Sequence, residues 1–279
     1  MARGQLFSRR GMLVGLSAAA GLAALRPAPA QETDLNGFDP LWRDVESAIV
    51  AFFGYVDFAA EGLHLDLPQY ADVGSSVPLT VRIDAAMTAQ DYPRVVHILA
   101  DGNPTPHVMS AWFSPESGRA EFSTRIRLET TQTVTAVAQM RDGRHLRTDR
   151  DISVSFGACG QIGTGNNDVI IGFQPATKVS VPASAAPGAI IPVRALISHP
   201  METGMRFDVG EDRVRQRIIS RFGCVYDGVE IFRARLYPAI SSNPYLQFYA
   251  RAAATGTFKF SWYDILDITY RDEAAILVA

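Results

Sequence analysis

The sequence predicts an all-β fold of two antiparallel β-sandwiches preceded by one short helix. Three observations lead to this fold class. Short segments of alternating apolar and polar residues recur over 63–156 and again over 177–270, with turn residues between them. A polar, glycine-rich stretch over 157–167 separates the two series. Helical spacing is found over 39–54, and the length of 279 residues suits two domains.

The predicted helix covers residues 39–54. Asp39 is suited to cap its N-terminus, and Pro40 fits the first turn. Gly54 is a suitable stop. Its apolar residues fall on one face, and they are Trp42, Val45, Ile49, Phe52 and Phe53.

The strands are predicted from period-two alternation and from the turns that bound them. Asp142-Gly143 and Asp227-Gly228 each predict a hairpin turn. The first series is 63–67, 77–83, 94–100, 108–113, 120–128, 133–140 and 145–156. The second series is 177–181, 190–197, 217–226, 230–236, 246–252, 256–263 and a short segment at 268–270.

The first thirty residues match an export signal. Arg9 and Arg10 precede an apolar stretch over 11–25, and Ala28-Pro29-Ala30 supplies a small-residue cleavage site. We therefore expect twin-arginine export, cleavage near Ala30 and a periplasmic location, with an uncleaved anchor as the alternative. Cleavage would remove four arginines and no acidic residue, which changes the net charge from −3 to −7. This acidic charge disfavours binding to nucleic acid or to anionic membranes.

The two cysteines are too few for a disulfide scaffold or a four-cysteine zinc site. Cys159 lies between Ala158 and Gly160 just past a predicted strand, which favours an exposed, reactive thiol. The alternatives are a disulfide with Cys224 and an inert loop residue. Cys224 lies within a predicted strand, where it is either a small packing residue or a resting-state partner of Cys159.

The five histidines show no metal-binding spacing. His64, His97 and His145 fall in predicted strands, whereas His107 and His199 fall in proline-containing loops. We expect structural roles for them. The sequence also lacks a nucleophile elbow, a phosphate loop and a dinucleotide fingerprint. It therefore predicts no enzyme active site, no metal site and no cofactor.

Two sets of motifs, one in each strand series, carry a resemblance to a known family. The first set is Asn103-Pro104-x-Pro106, residues 124–128, 131–132, 136–140 and 142–143, and the strand leading into Gly157-Ala158-Cys159-Gly160. The second set is residues 197–204, 242–246, Gly256 and residues 262–264. The first set resembles SoxY and the second resembles SoxZ, so the chain is identified as a fused member of the SoxYZ family.

The resemblance implies two immunoglobulin-like sandwiches. With the export signal at 1–30, the expected divisions are a SoxY-like domain over 31–156, a cysteine loop and linker over 157–175 and a SoxZ-like domain over 176–279. Cys159 matches the SoxY cysteine that carries sulfur-oxidation intermediates of the thiosulfate type. The resemblance therefore implies a carrier without catalytic activity, whose partners are periplasmic sulfur-oxidising enzymes.

The segment around Cys159 differs from the SoxY arm in two respects. The SoxY arm ends its chain, whereas here a further domain follows, and Ala158 and Gln161 replace two glycines of the arm. Fused forms of this kind also occur beside quinoprotein dehydrogenases. The alternative function is thus a non-enzymatic docking module for such a dehydrogenase, with Cys159 locked to Cys224.

Overall fold

Sixteen β-strands, one α-helix and one short 3₁₀-helix form the part of the chain that the computed structural model describes, residues 44–157, 173–207 and 213–279. The all-β prediction is confirmed. Helix α1 spans Val45–Phe53 and the 3₁₀-helix Pro115–Ser117. In the first half, residues 44–157, the strands are β1 Leu63–Asp66, β2 Tyr70–Val73, β3 Val77–Ile83, β4 Pro93–Ala100, β5 His107–Phe113, β6 Glu121–Ile126, β7 Gln132–Met140 and β8 His145–Phe156. In the second half, residues 173–207 and 213–279, they are β9 Thr177–Ser180, β10 Ser184–Ala185, β11 Ile190–Ile197, β12 Ile219–Tyr226, β13 Val229–Leu236, β14 Tyr245–Arg251, β15 Gly256–Asp264 and β16 Thr269–Val278.

Helix α1 begins later than predicted. Asp44 is its N-cap, and the Asp44 carboxylate accepts a hydrogen bond from the Ser47 N–H at 2.8 Å. Because Asp44 itself is extended, the helix does not continue from residue 39, and the prediction of its start was wrong. The proposed cap Asp39 and the apolar Trp42 lie outside the described residues. Gly54 ends the helix at a φ of 73°, as predicted.

The strands form two sheets, and each half contributes to both. The six-stranded sheet has the order β1-β3-β6-β14-β11-β9, and the ten-stranded sheet has the order β10-β16-β15-β12-β13-β5-β4-β7-β8-β2. The two sandwiches therefore stand edge to edge. Strand β5 pairs with β13 from Phe113↔Phe232 to Met109↔Leu236, and β6 meets β14 at one position. Pairing is antiparallel except for the short strands β2 and β10, which run parallel to β8 and β16.

The core lies between the two sheets, and its position follows from alternation along the strands. In β3, for example, every second residue from Val77 to Ile83 is buried. Burying one large apolar side chain contributes about 1.5–3 kcal/mol to folding. The second half is rich in such side chains, and the largest of them are Phe222, Phe232, Phe248, Phe258, Phe260 and Trp262.

Three strands differ from the prediction by more than two residues. Strands β2 and β10 were missed because they are short edge strands that depend on a neighbour for their hydrogen bonds. Strand β16 extends to Val278, far beyond the predicted 268–270. The hairpin turn at Asp227-Gly228 is confirmed, with φ of 48° and 80° at its two residues. Among the described residues no helix is long and apolar enough to cross a membrane.

Candidate functional site at the junction of the two halves

Cys159 lies outside the described residues, but the residues at both ends of its segment are described. They are Gly157 at the end of the first half and Phe173 at the start of the second half. The contacts of these two residues show where the cysteine-bearing segment, residues 158–172, is attached to the sandwiches.

Gly157 is attached beside the chain at residues 128–129. The N–H of Gly74 donates to the carbonyl of Phe156 at 2.7 Å, and the carbonyl of Gly74 accepts from the N–H of Leu128 at 2.8 Å. A Cβ on Gly157 would overlap the carbonyl oxygen of Glu129. The close approach of the two backbones therefore requires glycine at position 157.

Phe173 is attached to the second half through His199. The two rings meet edge to face, with centroids 6.4 Å apart and an interplanar angle of 88°. His199 follows directly after β11 and is fully buried. The second attachment point of the cysteine-bearing segment is thus part of a buried network.

That network holds His199 in one tautomer. Nδ1 of His199 accepts a hydrogen bond from the N–H of Met201 at 3.1 Å, so the ring proton is on Nε2 and is donated to Asp264 at 3.3 Å. Asn243 exchanges two hydrogen bonds with the backbone of His199, at 3.0 and 2.8 Å. Met201 adopts a φ of 50°, and its sulfur accepts a hydrogen bond from the N–H of Ile219 at 3.2 Å.

Asp264 also pairs with Arg217, whose Nε donates to the same carboxylate at 3.2 Å. Burial alone would raise the pKa of Asp264, but hydrogen bonds from His199, from the Leu266 N–H and from Arg217 outweigh it and lower the pKa below its usual value. Asp264 is therefore a charged group in a buried setting. Its negative charge is matched by the guanidinium of Arg217.

Arg127 connects this network to the first half. Its guanidinium donates to the carbonyls of Met201 at 2.6 Å, of Pro200 at 3.1 Å and of Pro238 at 3.3 Å. Its own backbone carbonyl accepts from the amide of Asn103 at 2.9 Å. Residues of the SoxY-like motifs thus bind the backbone of the SoxZ-like motif at 197–204.

A small cleft lies at this junction. Its walls come from both halves, and Glu129, beside which Gly157 is attached, is one of them. The lining residues are Asn103, Pro104, Thr105, Arg127, Glu129, Thr203, Met205, Pro238 and Ala239. Gly157 therefore lies next to a cleft shared by the two halves.

Cys224 lies far from solvent in β12. It is fully buried among the core residues of the second half, and it is a free cysteine. Burial raises the pKa of its thiol far above the usual range, which disfavours the reactive thiolate. The packing role predicted for Cys224 is confirmed.

His97 and His107 lie under helix α1, in the first half. Ser110 Oγ is 2.8 Å from Nδ1 of His97 and 2.9 Å from Nε2 of His107. The ring of Phe52 stacks on His97 with centroids 3.9 Å apart. Burial lowers the pKa of His97 to about 3, and burial, with the positive charge of Arg235 nearby, lowers the pKa of His107 well below its usual value. Both imidazoles are neutral packing elements, as the expected structural roles require.

The motif residues could be recognised in the sequence, but the sequence did not show which of them contact each other in the fold. Arg127 and Asp264 belong to motifs that were recognised, whereas Arg217 belongs to none. Their partners are distant along the chain, since Arg127 lies 73 residues from Pro200. Only one feature of the sequence could have indicated a buried ionic role for Arg217, namely that it is a basic residue at the start of a predicted buried strand. Within residues 44–157, 173–207 and 213–279, no group of three His, Cys, Asp or Glu side chains is placed to hold a metal ion.

These features define a class: an all-β protein of two sandwiches joined edge to edge. Two family models match the chain, "Sulfur oxidation protein SoxY" over residues 49–159 and "Sulphur oxidation protein SoxZ" over residues 179–275. Together they cover well over half of the 279 residues. The chain belongs to the SoxYZ family, with SoxY and SoxZ fused in one polypeptide.

One solved structure similar to the chain is that of the sulfur carrier protein SoxY from Chlorobium limicola f thiosulfatophilum. It is 26% identical, with a TM-score of 0.33, and the match covers 39% of this chain and 94% of that chain. No curated protein is similar enough to the chain to count as a match.

Proposed function

We propose that this chain is a periplasmic carrier that holds a sulfur-oxidation intermediate covalently on Cys159 and presents it to partner enzymes. The tandem match to SoxY and SoxZ carries this proposal, because the SoxY match ends at residue 159. The export signal at residues 1–30 supports the periplasmic location, an oxidising compartment in which sulfur–sulfur bonds persist.

The attachment geometry supports a carrier in one specific way. A carrier must present its cargo from a rigid body, so that a partner can bind the body and the cargo together. Gly157 and Phe173 are attached to different halves, and Arg127 joins those halves through three carbonyl groups. Gly157 and Phe173, the described residues on either side of Cys159, are thus parts of one body, as a carrier of this kind requires.

The proposed loading step forms one sulfur–sulfur bond. The Cys159 thiol and thiosulfate (S₂O₃²⁻) give Cys–S–S–SO₃⁻, one proton and two electrons, and the electrons pass to an acceptor in a sulfur-oxidising partner enzyme. Hydrolysis by a second partner then converts Cys–S–S–SO₃⁻ and water into Cys–S–SH, sulfate and one proton. The thiolate is the attacking form, so exposure and a pKa within reach of neutrality are required at Cys159.

In this scheme the chain itself catalyses nothing. Its partners, periplasmic enzymes of sulfur oxidation, supply the electron acceptor and the hydrolytic water. The chain contributes the thiol, the rigid body and the recognition surface. No cofactor is required for these three contributions.

Intact-mass measurement tests the proposal, and the two cysteines provide a matched control. The full-length protein is treated with tetrathionate, whose exchange with a thiolate leaves Cys–S–S–SO₃⁻ and releases thiosulfate. The Cys224→Ala variant should gain the mass of one S₂O₃ group, and the Cys159→Ser variant should gain none. The loaded protein should then lose sulfate to a hydrolytic partner enzyme. Absence of an adduct, with Cys159 shown to be a free thiol, would refute the proposal.

The alternative, a docking module for a quinoprotein dehydrogenase, predicts a different outcome for Cys159→Ser. Partner activity that is unchanged by this substitution would favour docking, whereas complete loss would favour carriage. A thiol count on the native protein also distinguishes the two functions, because carriage requires a free Cys159 whereas the docking alternative has it locked to Cys224. One reactive thiol before unfolding and two after it are expected, because Cys224 is fully buried.

A further inference from the structure

One row of residues crosses the outer face of the ten-stranded sheet from the first half to the second. The strand register aligns His97, Ser110, Arg235, Arg221 and Tyr263 in this row. In the first half, helix α1 covers the row, since its Phe52 stacks on His97. In the second half the same face carries half-buried arginines. The two parts of one sheet face therefore differ in both cover and charge.

The second-half part of this face is basic. Five basic side chains lie on it, and two acidic side chains, Glu230 and Glu273, lie among them, which leaves a net charge of +3. We call this surface the basic face, and its basic residues are Arg221, Arg233, Arg235, Lys259 and Arg271. An exposed ion pair between described residues lies on it, with Nε of Arg233 3.5 Å from Glu230. A surface pair of this kind neutralises little of the field of the face.

Aromatic rings hold the guanidinium groups of the basic face in place. Arg221 lies over Tyr263 and Arg233 lies over Trp112, each 4.6 Å from the ring centroid. Stacking of this kind uses the flat face of the guanidinium and leaves its in-plane N–H groups as donors for carboxylates. Tryptophan, tyrosine and arginine are also the residues most enriched in the energetic centres of protein interfaces.

The centre of the basic face is open. Gly223 lies between Arg233 on β13 and Ser261 on β15 in the strand register. A Cβ built on Gly223 would meet no described atom within 4 Å. A flat partner surface can therefore approach the sheet directly at this point.

The basic face contrasts with the rest of the molecule. Residues 31–156 carry 10 basic and 18 acidic side chains, a net charge of −8, whereas residues 176–279 carry 12 basic and 10 acidic ones, a net charge of +2. A positive surface on a protein with an excess of acidic residues orients the molecule toward negative surfaces, because the local field decides the encounter geometry.

We propose that the basic face docks an acidic surface patch of the partner enzyme to which the chain delivers its cargo. The identity of this partner rests on the proposed carrier function, whereas the docking chemistry rests on the face alone. Arginine fixed on an aromatic ring pairs with surface carboxylates in a bidentate geometry. The acidic first half would be repelled by the same patch, so the partner would meet the second half first.

Binding of a poly-L-glutamate peptide to the full-length protein at low ionic strength tests the proposal. All forms carry Cys159→Ser, so the result does not depend on the thiol. In the test variant, Arg221→Gln, Arg233→Gln and Arg271→Gln are combined, and we expect the Kd to rise by about tenfold or more. The matched control combines Arg82→Gln, Arg194→Gln and Lys178→Gln. It removes the same charge from the six-stranded sheet and should change the Kd by about twofold or less.

Four outcomes would overturn the proposal. The first is that poly-L-glutamate does not bind the protein with the basic face intact, and the second is that both variants weaken its binding equally. The third is tighter binding to phosphatidylglycerol vesicles than to poly-L-glutamate. The fourth is self-association, measured by sedimentation, that the test variant abolishes. The last outcome would make a second copy the occupant. Failure to load Cys159 with docking intact would refute the carrier function alone, and the reverse would refute docking alone.

Discussion

Both halves of the molecule bury histidine, but they do so in opposite ways. In the first half, His97 and His107 share Ser110 and are covered by the rings of helix α1, and both stay neutral because burial lowers their pKa values. In the second half, His199 donates to Asp264, a buried carboxylate whose pKa is lowered. The first cluster is an apolar packing site, and the second is an ionic one.

The difference reflects what each cluster holds in place. The first cluster fixes a helix against a sheet, which non-directional apolar contact achieves. The second cluster fixes a turn whose Met201 has a positive φ and whose carbonyls face Arg127. Holding such a turn requires directional hydrogen bonds, and the network that supplies them includes the buried charge of Asp264. We therefore expect the two clusters to respond differently to mutation and to pH.

The largest effect is expected for Asp264→Asn, which removes the buried carboxylate that accepts hydrogen bonds from both His199 and Arg217. Removing one member of a buried ion pair costs about 3–5 kcal/mol. Urea unfolding of the variant should show a loss of this size in the free energy of unfolding.

Asp267→Asn is the matched control, because Asp267 is exposed in the same hairpin turn. Its φ of 60° suits asparagine as well as aspartate. The control should lie within about 0.5 kcal/mol of the wild type. A loss below about 1 kcal/mol for Asp264→Asn would show that the second cluster is not ionic in the way described.

The next effect is a pH dependence that belongs to the first cluster. Because His97 and His107 have lowered pKa values when folded, the unfolded chain binds their protons first as the pH falls below about 6.5. Stability is therefore complete above that pH and is lost below it, toward about pH 3 for His97. One pH unit below the unfolded value, the loss is about 1.4 kcal/mol for each histidine.

Urea unfolding at neutral and mildly acidic pH measures this slope. The His97→Asn, His107→Asn double variant should lose most of it, because asparagine can still bond Ser110 but does not titrate. Asp264 contributes in a different pH range. Because its pKa is lowered in the folded state, its contribution to stability is present above the usual carboxyl pKa of 3.8 and is lost as the pH falls below that value. An unchanged slope in the double variant would contradict the assignment to the first cluster.

The fold was largely predictable because strand alternation and turn residues are local signals. Strand β3 has the predicted bounds, and the predicted hairpin turn at Asp227-Gly228 is present, with positive φ at both residues. Strand β16 was cut short because Arg271, Asp272 and Glu273 break the apolar alternation, although they continue the pairing with β15. The edge-to-edge joining of the sandwiches was not predictable, because the pairing of β5 with β13 has no local signature.

The site was only partly predictable for the same reason. Its motif residues could be recognised one by one, but the contacts between Arg127 and the carbonyls of Met201 and Pro238 span 74 and 111 residues. Cys224 was interpretable from its strand position, since a cysteine at an inward position is a packing residue. The cap Asp44 was missed because Asp39, followed by Pro40, gave a stronger N-terminal signal.

Arg127→Met should have a smaller effect than Asp264→Asn, because Arg127 is only half-buried and water can replace part of what it loses. The hydrogen bonds to Pro200 and Met201 are charge-assisted, and we expect a cost of about 2 kcal/mol. Arg125→Met is the control, since Arg125 is exposed and lies over Tyr245. Amide exchange should accelerate at Met201 in the first variant and stay unchanged in the second. Equal exchange rates at Met201 in the two variants would show that Arg127 does not join the two halves of the molecule.

The smallest effect is expected for Gly223→Ala, at the centre of the basic face. Its φ is not positive, and a Cβ there would meet no described atom within 4 Å, so the substitution introduces no clash. Because alanine has less backbone freedom than glycine in the unfolded chain, the substitution should leave the free energy of unfolding unchanged or raise it by about 0.5 kcal/mol. Gly228→Ala is the matched control, with equal space but a φ of 80°, and should cost about 1 kcal/mol. A loss at Gly223 as large as that at Gly228 would mean that the sheet face of the second half is covered, as that of the first half is by helix α1.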